Sequence, residues 1–114
     1  MFKSDGTVTP GNASQVSDGA AGLMVTSRAF ADDHGLDVLA EIEFRETDAY
    51  DLVELNEAFA AQTVYCRREL GFDDDVFNVN GGAIAIGHPL GASCARLPVT
   101  LVHEMQKRDA ELGL

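Results

Sequence analysis

A chain of 114 residues, 46% hydrophobic and 24% charged, can build one ordinary domain with a core, which excludes a disordered tail and leaves little room for two domains. Nineteen acidic residues face eight Lys and Arg, a formal net charge of -11. That balance argues against nucleic acid and against anionic membrane surfaces, because phosphate affinity draws on Lys and Arg.

The acidity suits a solubilising surface or a protein made for high salt, where screening weakens self-repulsion. Cys66 and Cys94 show no paired spacing, so neither a disulfide scaffold nor a metal site is expected. The polar opening Lys3-Ser4-Asp5-Gly6 does not read as a signal peptide, and the apolar runs are too short to span a bilayer. A reducing cytoplasm is the expected location.

Pro10, Gly11, Asn12 and Gly19 mark residues 1–19 as the end of a loop region, with a domain over 20–114. Ala20 to Thr26 is a short apolar run that suits a buried strand or a helical turn. Ser27 can cap a helix through Phe30, closed by Gly35. Val38, Ala40, Ile42 and Phe44 alternate with Glu41, Glu43 and Arg45, the pattern of a strand with one polar face. Thr47 and Asp48 then turn the chain, and Leu52 to Leu55 reads as another strand. From Glu57 the pattern is helical until Gly71, with Arg67 and Arg68 near the end as the dipole prefers. Asp73-Asp74-Asp75 is an acidic turn, Val76 to Val79 a strand, and a Gly-rich strand leads to His88. A last helix runs from about Ser93 to Lys107 with Pro98 inside it, and the tail Gly113-Leu114 adds no further strand. This alternation predicts an α/β layer.

Several segments have residue types suited to chemistry. In Gly87-His88-Pro89-Leu90-Gly91-Ala92-Ser93 the glycine allows close backbone approach, and the proline holds His88 extended with its ring in one direction. Such a histidine serves as a general base or an oxyanion donor, or simply closes a turn. Asn56, in Asn56-Glu57-Ala58-Phe59, stands where a strand passes into a helix and can be an N-cap or a polar group at a sheet end. Thr7 to Ser14 is an ordinary loop by itself, although its small residues suit a narrow ligand tunnel. Cys66 reads as core, and His34 and His103 as surface helix residues.

In this order, the three segments resemble the thiolases, with Phe77 to Ser93 the most specific stretch. The resemblance covers about Asp5 to Met105 and implies a partial βαβαβ layer of the thiolase-like C-terminal domain, with an incomplete sheet. It implies acyl transfer between acyl-CoA and acetyl-CoA, with coenzyme A as part of the substrate and no cofactor or metal. It implies that Asn56 orients a water that, with His88, forms an oxyanion hole, and that His88 lowers the pKa of a nucleophilic cysteine. Ala13 and Ser14 would line the pantetheine tunnel, with Ala58 and Phe59 beside the thioester. A homo-oligomer, or association with a complementary thiolase part, is the implied assembly.

The sequence also departs from that family. The half bearing the nucleophile and the Cys-x-Gly-Gly-Gly segment are not in these residues. Roughly thirty residues of the family pattern have no counterpart between Phe44 and Leu52, within the boundary error of such readings. Cys94 stands where the family usually has glycine, and the choice is between a packed, inert thiol and a substitute nucleophile. The expectation is therefore the C-terminal portion of a thiolase, inactive in isolation. The alternative is a non-catalytic remnant or a partner subunit completing another thiolase chain. A generic CoA- or nucleotide-binding module ranks last, since the sequence contains neither a P-loop nor a Rossmann fingerprint.

Overall fold

The computed structural model describes residues 3–44 and 49–114. Arg45, Thr47 and Asp48, assigned above to the end of a strand and a turn, lie outside the described residues.

Around Leu52 the chain forms a small parallel layer. Val53 pairs with Phe77 on one side and Leu52 with Gly113 on the other, both in parallel. Val53 N–H donates to Val76 O and Asn78 N–H to Val53 O, each at 2.8 Å. On the opposite edge Leu114 N–H donates to Leu52 O at 3.0 Å and Glu54 N–H to Leu114 O at 2.8 Å. The segment around Leu52 is thus central, with Phe77 and Gly113 flanking it. Helices join these segments in the order of a βαβαβ unit: α2 (Ala60–Leu70) before Phe77, then α3 (Ala83–Ile86) and α4 (Leu90–Arg108) before Gly113. The tail therefore does contribute an extended segment, contrary to the sequence expectation. A glycine gives no hydrophobic alternation to read, yet Gly113 packs closely here: a Cβ would fall 2.7 Å from Met105 Sδ and 2.9 Å from a Leu101 methyl, and both side chains would have to shift. The Asp51 carboxylate fixes the same tail, accepting from Glu111 N–H at 2.9 Å and Leu112 N–H at 2.8 Å.

Helix boundaries follow from competing uses of the backbone. α1 (Arg28–Asp33) is capped by Ser27, whose Oγ accepts from Phe30 N–H at 3.2 Å. Gly35 follows with φ +60°. α2 starts at Ala60, later than the sequence pattern suggests, because Ala58 and Phe59 stay extended to pair with residues 13–14. It ends on Gly71 in the left-handed region, as expected. α4 begins at Leu90, earlier than expected, and continues through Pro98. The stretch read as a Gly-rich strand is instead the single helical turn α3 between Gly82 and Gly87. The Glu57 carboxylate accepts from Ile84 N–H at 3.2 Å and satisfies an amide that a helix start would leave open.

Other expectations fail in the first half of the chain. Residues 20–26 form neither strand nor helix, with Met24 and Val25 exposed. Residues 38–44 join no ladder, and Ile42 and Phe44 point outward. Alternation marks a face to be buried but does not supply the neighbouring strand, and no described residue forms a β-bridge with this segment.

The buried apolar core comprises Ala31, Leu52, Val53, Phe77 and Ala83. Phe72 extends it, contacting Tyr50 edge-on at 6.2 Å and Phe77 at 6.3 Å between ring centroids. The radius of gyration is 16.2 Å, against about 13 Å for a compact domain of this length.

Candidate functional site

Asn56 and His88 meet although thirty-two positions apart: Asn56 Nδ2 lies 3.3 Å from His88 Nε2, with both side chains half-buried. On the other edge of the ring, Nδ1 lies 2.7 Å from Ser93 Oγ. The Ser93 hydroxyl donates to Pro89 O at 3.2 Å, so its oxygen accepts from Nδ1–H. Nε2 then carries a lone pair, and the Asn56 amide donates to it. The Asn56 Oδ1 atom is buried without a partner. Ser93 is buried in the first turns of α4, which makes it a rigid anchor for the imidazole.

The chain's early loop ties these parts together. Ala13 pairs antiparallel with Phe59, and Ser14 N–H donates to Ala58 O at 3.0 Å. Two residues on, His88 N–H donates to Gln15 O at 2.8 Å and Val16 pairs in parallel with His88. The loop at 13–16 therefore spans from the Ala58-Phe59 backbone to the histidine, and every candidate site residue falls within one stitched set. Gly87 allows the close approach: its φ is +94° and a Cβ would collide with Ser17 Oγ. Asn56 is not the N-cap of α2, a position taken by Phe59, so its side chain is free to face the ring.

Sequence reasoning missed the residue that sets the loop geometry. Asn78 is 8% exposed, with φ +46°. Its Oδ1 accepts from Leu55 N–H at 2.8 Å, while Nδ2 donates to Leu55 O at 2.9 Å and to Glu57 Oε1 at 3.1 Å. Asn78 thus clamps the residues on both sides of Asn56. A hint lay in the Asn-x-Asn-Gly-Gly run, since Asn tolerates the left-handed region. Glu57, where the sequence pattern starts a helix, bridges Asn78 to α3 instead.

A second polar group closes the layer beneath. Glu104 accepts from Asn80 at 3.0 Å, Arg108 at 2.6 Å and Lys107 at 3.4 Å. The Asn80 and Arg108 hydrogen bonds hold its carboxyl down at about 2. Cys66 is half-buried on α2 rather than in the core, and Cys94 is exposed on α4. His34 caps α1 and stacks on Phe30 at 3.9 Å, and His103 is exposed on α4. Among the described residues no group of three or more His, Cys, Asp or Glu is placed to hold a metal ion.

Comparison with known proteins gives this arrangement a family. Residues 16–114 match the model of the thiolase C-terminal domain, and residues 1–29 that of the thiolase N-terminal domain. The chain is 46% identical to the peroxisomal 3-ketoacyl-CoA thiolase 2 of Arabidopsis thaliana, over 100% of this chain and 31% of that one. It is also 46% identical to the acetyl-CoA acetyltransferase of Chromobacterium violaceum, over 99% of this chain and 36% of that one. The solved structure of the Bacillus anthracis acetyl-CoA acetyltransferase superposes with a TM-score of 0.85 at 36% identity, over 99% of this chain and 36% of that one. Human mitochondrial 3-ketoacyl-CoA thiolase in complex with CoA superposes at 0.80 and 36% identity, over 96% of this chain and 35% of that one. The chain thus spans about a third of the length of these relatives. The Arabidopsis alignment runs over 145 positions against the 114 residues here, a shortfall of the size that the sequence pattern places between Phe44 and Leu52. The likeness holds in sequence and in three dimensions across nearly the whole chain, and the chain belongs to the thiolase family.

Proposed function

We propose that this chain supplies the Asn–His half of a thiolase site, serving acyl transfer between acyl-CoA and acetyl-CoA once joined to a nucleophile-bearing partner. The observation that carries this is the hydrogen-bonded chain Asn56–His88–Ser93; with Ser93 Oγ accepting from Nδ1–H, Nε2 is the ring nitrogen without a proton. An unprotonated Nε2 takes a proton from an approaching thiol, leaving a thiolate for attack on a thioester carbonyl. The coenzyme A thiolate released by that attack takes its proton from water, and the Nε2–H so formed donates to the oxyanion that develops when a carbon next to a thioester carbonyl loses its proton. Asn56 contributes its amide, directly or through a water, to the same oxygen. Ala13, Ser14, Ala58 and Phe59 offer small or flat surfaces and an extended backbone beside this point, which suits a pantetheine arm.

The assembly follows from the same chemistry. Leu112–Leu114 runs parallel to Leu52–Glu54, the segment that leads into Asn56, so both strand ends face the site. Among the described residues neither Cys66 nor Cys94 is hydrogen-bonded to His88, and the reading assigns the nucleophile and the acid/base for the condensing carbon to a complementary thiolase part. Coenzyme A takes part as substrate, not as a resident cofactor.

The test is thiolysis of acetoacetyl-CoA at low and high salt. The expected result is no turnover by the chain alone, and turnover on adding a thiolase half that carries the nucleophile. In that complex His88→Ala should abolish activity and Asn56→Ala should lower kcat by about 10²–10³. Turnover by the chain alone that disappears in the Cys66→Ser/Cys94→Ser variant would overturn the proposal and make Cys94 the nucleophile.

A further inference from the structure

Glu54 and Arg96 face each other in the interior, with side chains 3% and 15% exposed and Oε2 3.9 Å from Nη1. Neither carboxylate oxygen has a hydrogen-bond partner, and neither does any of the three guanidinium nitrogens. Charges buried this way usually add little stability over an apolar pair of the same volume, so the pair calls for another explanation. A separation of 3.9 Å is too long for a direct hydrogen bond, and buried polar groups without partners are commonly joined by ordered water.

The pair's position supplies that explanation. Glu54 lies two residues before Asn56, on the segment bonded to Leu114. Arg96 lies three residues beyond Ser93, on the same face of α4. The ion pair therefore joins the same two elements that the Asn56–His88–Ser93 relay joins. Glu57 and Glu104 add negative charge around Glu54, and Arg96 is the cation that offsets it; burial pushes the Glu54 carboxyl up while Arg96 pulls it down.

We infer that Glu54 and Arg96, bridged by water, are positioning residues: they hold the 52–56 segment against α4 at the spacing that lets Asn56 reach His88, and so fix the ring in its Nδ1-protonated form. The inference rests on the reading above for the roles of Asn56 and His88. Its test reads the ring and not turnover, so failure of one is distinct from failure of the other.

The measurement is two-bond nitrogen–proton NMR of the 15N-histidine-labelled chain near pH 8. The parent should show His88 as a single Nδ1-protonated tautomer. Glu54→Leu/Arg96→Met removes both charges and keeps the volume; with the amide dispersion of a folded chain it should show a mixture of both tautomers. Glu54→Gln, which keeps the shape, should show a smaller shift in the same direction and decides the matter if the double variant does not fold. A folded double variant that keeps the single Nδ1-protonated tautomer overturns the inference, as does an unchanged tautomer in Glu54→Gln when the double variant is unfolded.

Discussion

From Asp51 to Leu114 several side chains tie distant parts of the chain together. Asp51 holds the tail, Asn78 clamps Leu55 and Glu57, and Glu104 ties α4 to Asn80. Residues 18–44 are about as rich in apolar side chains but bury almost none of them: Ala31 is buried, while Met24, Val25, Leu39, Ile42 and Phe44 are exposed. Both regions have the hydrophobic patterning of ordinary secondary structure, and only one has neighbours for it. Apolar area stabilises a fold only when something covers it. Exposed apolar surface of this extent is the mark of an interface, which fits a chain spanning about a third of its relatives.

The largest blow to the region from Asp51 to Leu114 should come from Asn78→Ala. It strands the Leu55 N–H, the Leu55 carbonyl and part of Glu57 in a half-buried place, and should cost about 2–4 kcal/mol in urea unfolding. Gly87→Ala comes next, losing roughly 1–3 kcal/mol because alanine is strained at φ +94° and its Cβ meets Ser17 Oγ. The same substitution should broaden the His88 NMR signals, since His88 follows directly.

A third effect is read in pH. Glu104 has a folded pKa lowered from 4.5 to about 2, so its contribution is fully present above pH 4.5 and is lost as pH falls toward 2. Asp51 is also lowered, by its bonds to Leu112 and Glu111, and acts in the same direction. Glu54 is raised by burial and opposes them, gaining favour as it protonates. Thermal melts between pH 5 and pH 2 should therefore show falling stability in the parent and a shallower fall in Glu104→Gln. The smallest effects are expected in the exposed region. Met24→Ser and Ile42→Ser should change stability by no more than about 0.5 kcal/mol while raising solubility. A loss there as large as that of Asn78→Ala would show that residues 18–44 are packed in solution, and the contrast between the two regions would collapse.

The helices show what local chemistry can specify. Ser27 and Gly35 bracket α1, and Gly71 ends α2, where the sequence pattern placed them. Their positions depend on neighbours within a turn, which sequence records. The start of α2 was misplaced because a residue far away in the chain, Ala13, holds Phe59 extended. The turn α3 resembles a strand in sequence because its glycines give no periodicity and its stabilising carboxylate, Glu57, lies well upstream. The alternation of residues 38–44 was read as a strand because patterning reports a face and says nothing of a neighbour.

The sequence by itself determined the family, through the Asn56–Phe59 and Gly81–Pro89 segments. It also determined the acidic surface, the helix ends set by local caps, and the identity of the residues able to handle a proton. Only the tertiary structure decided that Asn56 touches Nε2, that Ser93 takes Nδ1, that Asn78 sets the loop between them, and that Glu54 and Arg96 are left facing each other without hydrogen bonds. The physical reason is range: caps and turns are settled by bonds within a few residues, whereas a protonation state and a buried charge depend on groups that the fold alone brings together.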